Sequence, residues 1–311
     1  MSNIFEAVNK GKGELADFML PMVGVQNESS APCQQGTSES GPAQPVTIAN
    51  PAPAAPMPDA FFPRQIRTLR LRIAAPSPLL PFEDNRSHAS EQYRMLRTKI
   101  SQHPKQPRLI VVSSAASRDG KTTTAVNMAG ALSLKNEAKV VLLDADLRKS
   151  TIHLQLGLPE RPGLVDVLTG ACSIEQALVQ AQEFPNLYVL SAGTLASNPA
   201  ELLDSVEWPK LCTRLCNSFR YIVVDSPPLA GVADYDLIQA VADGIILVVR
   251  PDHTKRPLCQ KALATVSKEK FLGVLMNCVP ASFLTPETHP DYYSGREPRR
   301  DVNGQGVGTT A

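Results

Sequence analysis

The sequence has little that would tie it to a membrane, a nucleic acid or an oxidising compartment. No apolar run approaches the roughly 18 residues that a spanning helix needs. Met1 to Lys12 is polar and mixed in charge rather than basic and then apolar, so it does not read as a signal peptide. Net charge over 311 residues is only +1, which leaves no global field to draw the chain to nucleic acid or to a lipid surface. Six cysteines, Cys33, Cys172, Cys212, Cys216, Cys259 and Cys278, are scattered without metal-type pairing. Cys212 and Cys216 share a predicted helix, but no histidine or second pair accompanies them, and thiols in a reducing cytoplasm are the better reading. These absences predict a soluble, cytoplasmic protein with no nucleic-acid partner.

What is present is unevenly distributed. Met1 to Val25 carries Ile4, Phe5 and Val8 on one helical face and Leu15, Phe18, Met19 and Met22 on another, so residues 1–25 read either as a short amphipathic docking element or as a weakly ordered tail. Residues 26–63 are rich in Ser, Ala, Pro, Gly and Gln. Such a segment buries too little surface to offset its conformational entropy and is expected to be a disordered linker. Residues 64–284 hold the strands and helices of one domain, and 285–311 form a polar tail with Tyr292 and Tyr293 side by side. The domain opens with Arg64 to Ile73, where Leu69, Leu71 and Ile73 keep the period of a strand with one wet face.

The most informative stretch runs from Leu109 to Ala129. An apolar run, Leu109 to Val112, leads into Ser113-Ser114-Ala115-Ala116-Ser117-Arg118-Asp119-Gly120-Lys121-Thr122 and then into a helical segment from Thr123. Strand, loop and helix in this order fit the nucleotide-binding phosphate loop, with Ala115 in place of the usual first glycine. Backbone N–H groups curl around a triphosphate at the positive end of the helix, Lys121 reaches the outer phosphates, and the Thr122 hydroxyl ligates the metal. The predicted nucleotide contacts are Ala115, Ser117, Arg118, Asp119, Gly120, Lys121, Thr122 and Thr123.

Two further strands end in carboxylates. After Lys139, Val140 to Leu143 is continuously apolar, as in a parallel sheet covered on both faces, and is followed by Asp144-Ala145-Asp146-Leu147-Arg148. A side-chain period of two places Asp144 and Asp146 on one side at the strand's carboxyl end, where open α/β sheets bind ligands. Tyr221 to Val224 closes on Asp225, with Pro227 and Pro228 just beyond, fitting the aspartate that orders magnesium, usually through water. Short helices are expected at Leu164 to Leu168 and Ile174 to Val179, and a strand at Asn186 to Leu190. Asn198 and Pro199 cap and open a helix that resumes up to Cys216. Strands at Gly244 to Val249 and Leu272 to Met276, joined by a helix around Gln260 to Lys268, complete the pattern. Strands alternating with helices predict an α/β fold with a doubly wound, mostly parallel sheet of the P-loop NTPase kind.

The ordered set resembles the bacterial tyrosine kinases of the capsular and exopolysaccharide type, in their cytoplasmic-only form, within the MinD/ParA-like class of P-loop ATPases. The resemblance runs from about Ser90 to Met276. It is carried by the loop from Ala115 to Thr122, by Asp144, Asp146 and Arg148, and by Asp225 with its prolines. It extends to Glu91, Arg94 and Arg97, spaced three apart on the helix Ser90 to His103, which look like the family's oligomerisation signature. Ala116 stands where partition ATPases carry an additional lysine, which separates this chain from them. The resemblance implies ATP and Mg2+ as ligands, Lys121, Asp144 and Asp146 as catalytic residues, and Thr122, Asp225 and Asp144 around the metal. Asn277 then falls at the adenine-contacting position. It also implies a ring-shaped homo-oligomer, autophosphorylation of Tyr292 and Tyr293 between subunits, and a transmembrane polysaccharide co-polymerase that activates the kinase and recruits it to the inner face of the membrane. The family's dense tyrosine cluster is reduced here to two residues. An ATP-hydrolysing switch that binds such a partner without phosphorylating tyrosine is the alternative.

Overall fold

The computed structural model describes residues 66–279, apart from 75–76, 81, 83–87, 136–137 and 230–232. The expectations for residues 1–25, for the linker 26–63 and for Tyr292 and Tyr293 lie outside the described residues.

Eight strands form one sheet: β1 (Arg67–Leu69), β2 (Leu109–Ser114), β3 (Val140–Asp144), β4 (Val179–Ala181), β5 (Leu187–Leu190), β6 (Tyr221–Asp225), β7 (Gly244–Val249) and β8 (Phe271–Met276). Their order is β1-β4-β5-β3-β6-β2-β7-β8. Every neighbouring pair is parallel except β4 with β5. The described helices are α1 (His88–Gln102), α2 (Lys121–Ser133), α3 (Ile152–Leu156), α4 (Leu164–Leu168), α5 (Ile174–Ala177), α6 (Pro199–Asp204), α7 (Glu207–Ser218), α8 (Ala233–Ala240) and α9 (Arg256–Thr265).

Strand periodicity divides the core in two. Val111, Val141, Leu143, Ile222, Val224, Ile245 and Leu247 face the layer formed by α4 to α9, around the buried Trp208. Ile110, Val112, Val140, Leu142, Val223, Ile246 and Val248 face the opposite layer, formed by α1, α2 and α3. Each such side chain contributes about 1.5–3 kcal/mol when fully buried, so the central strands form a stiff base for the loops at their carboxyl ends. Among the helices, α2 is buried almost all round, because the β-sheet lies below it and α1 packs against it.

Four local differences from the sequence expectation have physical causes. Of the strand expected from Arg64 to Ile73, the described residues form a ladder over Arg67–Leu69, because β4, the strand they pair with, is three residues long. The helix expected to reach Val179 stops at Ala177, and Val179 starts β4, which bridges β1 and β5. Leu156-Gly157 is a turn as read, but it terminates α3, with Gly157 left-handed at φ 63° and packed on Arg72. The phosphate-loop helix begins at Lys121 rather than Thr123.

Asn127 on α2 fixes the proline-broken segment that precedes α1. Its Oδ1 accepts from Leu80 N at 2.6 Å and its Nδ2 donates to Pro78 O at 2.8 Å. Asn127→Ala leaves a buried N–H without an acceptor and should cost about 1–3 kcal/mol. Urea denaturation checks this, and an unchanged midpoint would show that the segment is held by other contacts.

Candidate active site

The phosphate loop leaves β2 at Ser114 and enters α2 at Lys121. Two left-handed residues shape it, Arg118 at φ 69° and Gly120 at φ 90°. The backbone angle of Gly120 favours glycine, and a Cβ there would lie 1.9 Å from Asn277 Nδ2 and displace that side chain. Ala115 has no such demand: its methyl is buried in the core beneath the loop. Ser117 and Arg118 form the exposed tip, and Thr123 is half-buried on the first turn of α2.

The charged groups converge on Lys121. Its Nζ lies 2.8 Å from Asp146 Oδ2 and 3.4 Å from Asp225 Oδ1, and 3.3 Å from the Thr122 hydroxyl. Asp144 and Asp225 are register partners at the ends of β3 and β6. Because β3 stops at Asp144, strand alternation does not carry on to Asp146. A turn folds back instead, with Asp146 N donating to Asp144 Oδ1 at 3.3 Å and Lys149 N donating to Asp146 Oδ1 at 3.1 Å. Asp144 Oδ2 accepts from Thr151 N and Ile152 N, both at 3.2 Å, at the start of α3. Arg148 then spans to α8 with a bidentate ion pair to Asp234 at 2.7 and 2.9 Å.

Asp119 and Asn277 act on the loop itself. Asp119 is fully buried: Oδ2 accepts from Ala116 N at 2.9 Å, while Oδ1 meets Thr254 Oγ1 at 2.7 Å and His253 Nδ1 at 2.9 Å. Its carboxylate therefore contributes through the loop's shape, with no free oxygen for a ligand. Asn277 Nδ2 donates to Asp119 O at 3.0 Å. On α1, Glu91 pairs with Arg94 at 3.3 Å, and Arg97 donates to Ala131 O on α2 at 3.4 Å. Asp234, His253 and Thr254 were not singled out from the sequence. Their signal is weak, since each only becomes meaningful beside a partner distant in the chain.

Three carboxylates and one ammonium carry a net double negative charge when all are ionised. Burial first, and then the charge of Asp225, push the Asp144 carboxyl up to about 8. Burial raises Asp225 too, against the pull of Lys121. On Lys121 burial opposes the charge, but Asp225 and Asp146 outweigh it and hold the ammonium above its ordinary range. Asp225 Oδ2 is buried without a hydrogen-bond partner. Among the described residues no group of three or more His, Cys, Asp or Glu side chains could hold a metal alone. That donor set fits Mg2+, which takes one or two carboxylates and fills its octahedron with water and phosphate oxygens.

The Asp144 shift has a defined sign. Between about pH 4 and 8 the folded chain keeps a proton that the unfolded chain has released, so stability from this group falls as pH rises through that window. Asp144→Asn should flatten the fall. Urea midpoints of both proteins at about pH 5.5 and 8 measure it, and parallel slopes would contradict the assignment.

Residues 108–271 match the AAA domain family, over more than half of the chain. Tyrosine-protein kinase YwqD of Bacillus subtilis (strain 168) is 39% identical over 224 residues, which span 70% of this chain and 92% of that protein. Tyrosine-protein kinase CpsD of Streptococcus agalactiae is 30% identical over 206 residues, or 65% of this chain and 89% of the relative. The crystal structure of the chimerical protein CapA2B2 superposes with a TM-score of 0.63 at 28% identity, covering 67% of this chain and 92% of that one. Among the described residues no helix is long and apolar enough to cross a membrane. With the AAA match lying over the strands that build the site, and identity extending along nearly all of a curated kinase, the chain belongs to the bacterial tyrosine-protein kinases.

Proposed function

We propose that this kinase transfers the γ-phosphoryl group of ATP to Tyr292 and Tyr293 in the tail of a neighbouring subunit, and that it thereby regulates capsule or exopolysaccharide assembly. The observation that carries the reading is the convergence of Lys121, Asp146 and Asp225 at the amino end of α2, 2.8 and 3.4 Å apart across three strand ends. In the nucleotide-bound enzyme, Lys121 exchanges these carboxylates for the outer phosphates, where its charge stabilises the transferred group. Thr122 and Asp225, the latter through water, would hold Mg2+, and the ion would supply positive charge against the phosphates. Asn277, beside Gly120, is the proposed contact to the adenine.

Asp144 is the proposed proton acceptor for the tyrosine hydroxyl. A phenol has a pKa of roughly 10, so the Asp144 carboxylate, ionised once the cation is bound, assists mainly late in the transfer. Asp146 positions Lys121 and the turn. Arg148 and Asp234 brace the turn against α8. Glu91 and Arg94, both near the solvent on α1, join neighbouring subunits in a ring, with Arg97 tying α1 to α2. A transmembrane polysaccharide co-polymerase supplies the activating segment and brings the kinase to the inner face of the membrane.

Phosphosite mapping by mass spectrometry, on the chain recovered from its native cells, tests the reading. Phosphate on Tyr292 or Tyr293 should disappear in Lys121→Met while the fold is retained. Undiminished phosphorylation in that variant would exclude the site. Glu91→Ala with Arg94→Ala should lower the assembled mass in light scattering, and an unchanged mass would remove α1 from the interface.

A further inference from the structure

The phosphate loop contains a residue that electrostatics disfavours there. Asp119 immediately precedes Gly120, and a carboxylate facing the loop's interior would repel a triphosphate. It is instead fully buried, with both oxygens engaged by the protein. Two of its three donors come from the turn that follows β7, residues 250–254, far from the loop in sequence but adjacent to it because β7 lies beside β2.

That turn is itself closed. Thr254 N donates to Arg250 O at 2.9 Å, and Arg250 N donates to Thr254 Oγ1 at 3.1 Å. Because the Thr254 oxygen already accepts a proton from within its own turn, its single O–H is free to point at Asp119, 2.7 Å away. The His253 ring, partly open to solvent, meets the same carboxylate oxygen through Nδ1, which donates to it in the tautomer that carries its proton there. Asn277 secures the Asp119 carbonyl from the end of β8. The left-handed Arg118 lies next to this anchor; a non-glycine residue persists in that conformation only where its surroundings fix it.

We propose that Thr254 and His253 are positioning residues for the phosphate loop. By anchoring Asp119 they set the curl of residues 116–120, and with it the directions of the backbone N–H groups that receive phosphate. The proposal rests on the nucleotide reading of this loop and adds a latch supplied by a neighbouring strand's turn.

Thr254→Val and His253→Ala remove the donors, and Thr254→Ser and His253→Asn restore them. Two readouts apply to the full chain: the KM for ATP against kcat, and hydrogen–deuterium exchange of the loop amides without nucleotide. The removing variants should raise KM about tenfold with kcat within about twofold, because loss of uniform phosphate binding raises KM alone. They should also speed exchange across residues 116–120 by about tenfold or more, since the Ala116 N–H loses its fixed acceptor. The conservative variants should reverse both effects. A role confined to folding would lower the active fraction and leave KM unmoved. Unchanged loop exchange in Thr254→Val and His253→Ala overturns the latch. If the wild-type chain fails to bind Mg2+ and ATP, the nucleotide reading fails instead, and the exchange measurement still decides the latch.

Discussion

The structure depends on how a buried ammonium is balanced. Lys121 opens α2, where the helix dipole already favours negative charge, and it meets Asp146 and Asp225 directly with Asp144 beside them. One positive charge cannot balance three buried carboxylates. Without a ligand the chain meets the deficit by retaining a proton, which is the meaning of the raised Asp144 and Asp225. A divalent cation removes the same deficit. The site is therefore built around a charge that the chain itself does not supply, and that dependence couples metal, nucleotide and proton.

The sheet makes this arrangement geometrically inexpensive. With β2, β6 and β3 adjacent and parallel, the phosphate loop, Asp225 and Asp144 emerge at one end without any long excursion of the chain. Both faces of these strands are buried, so their ends move little. The surrounding loops are then fixed by a few polar contacts between distant parts of the chain: Arg148 to Asp234, Thr254 and His253 to Asp119, Asn277 to the Asp119 carbonyl. Packing sets the base, and hydrogen bonds and ion pairs aim the groups that stand on it.

Which parts were legible from sequence follows from the range of the interactions. Continuous apolar runs announced β2, β3, β6 and β7, because a strand buried on both faces needs no partner to be recognised, and a similar run announced the half-buried β8. The convergence of Lys121, Thr122 and Asp225 was legible because each position is tied to fixed spacing beside a strand. The strand β1 was legible from its alternation, though over too long a span, whereas β4 was not, since three residues carry almost no pattern of their own and form a strand only through their neighbours. Asp146 was placed by strand alternation, but it reaches Lys121 through a turn that begins when β3 ends. Asp234, His253 and Thr254 lie 86, 134 and 135 residues from the side chains they hold, a separation that no local pattern encodes.

The most direct measurement of the charge-balance account is calorimetric titration of Mg2+ and ATP into the protein near pH 7, repeated in buffers of different ionisation enthalpy. Binding should release a proton, because Asp144, held near 8 in the free site, ionises when the cation arrives. The observed enthalpy should therefore change from buffer to buffer, and Asp144→Asn should reduce that change. A wild-type enthalpy identical in every buffer would contradict the account, since it would mean that the buried carboxylates are already ionised and balanced before any metal binds.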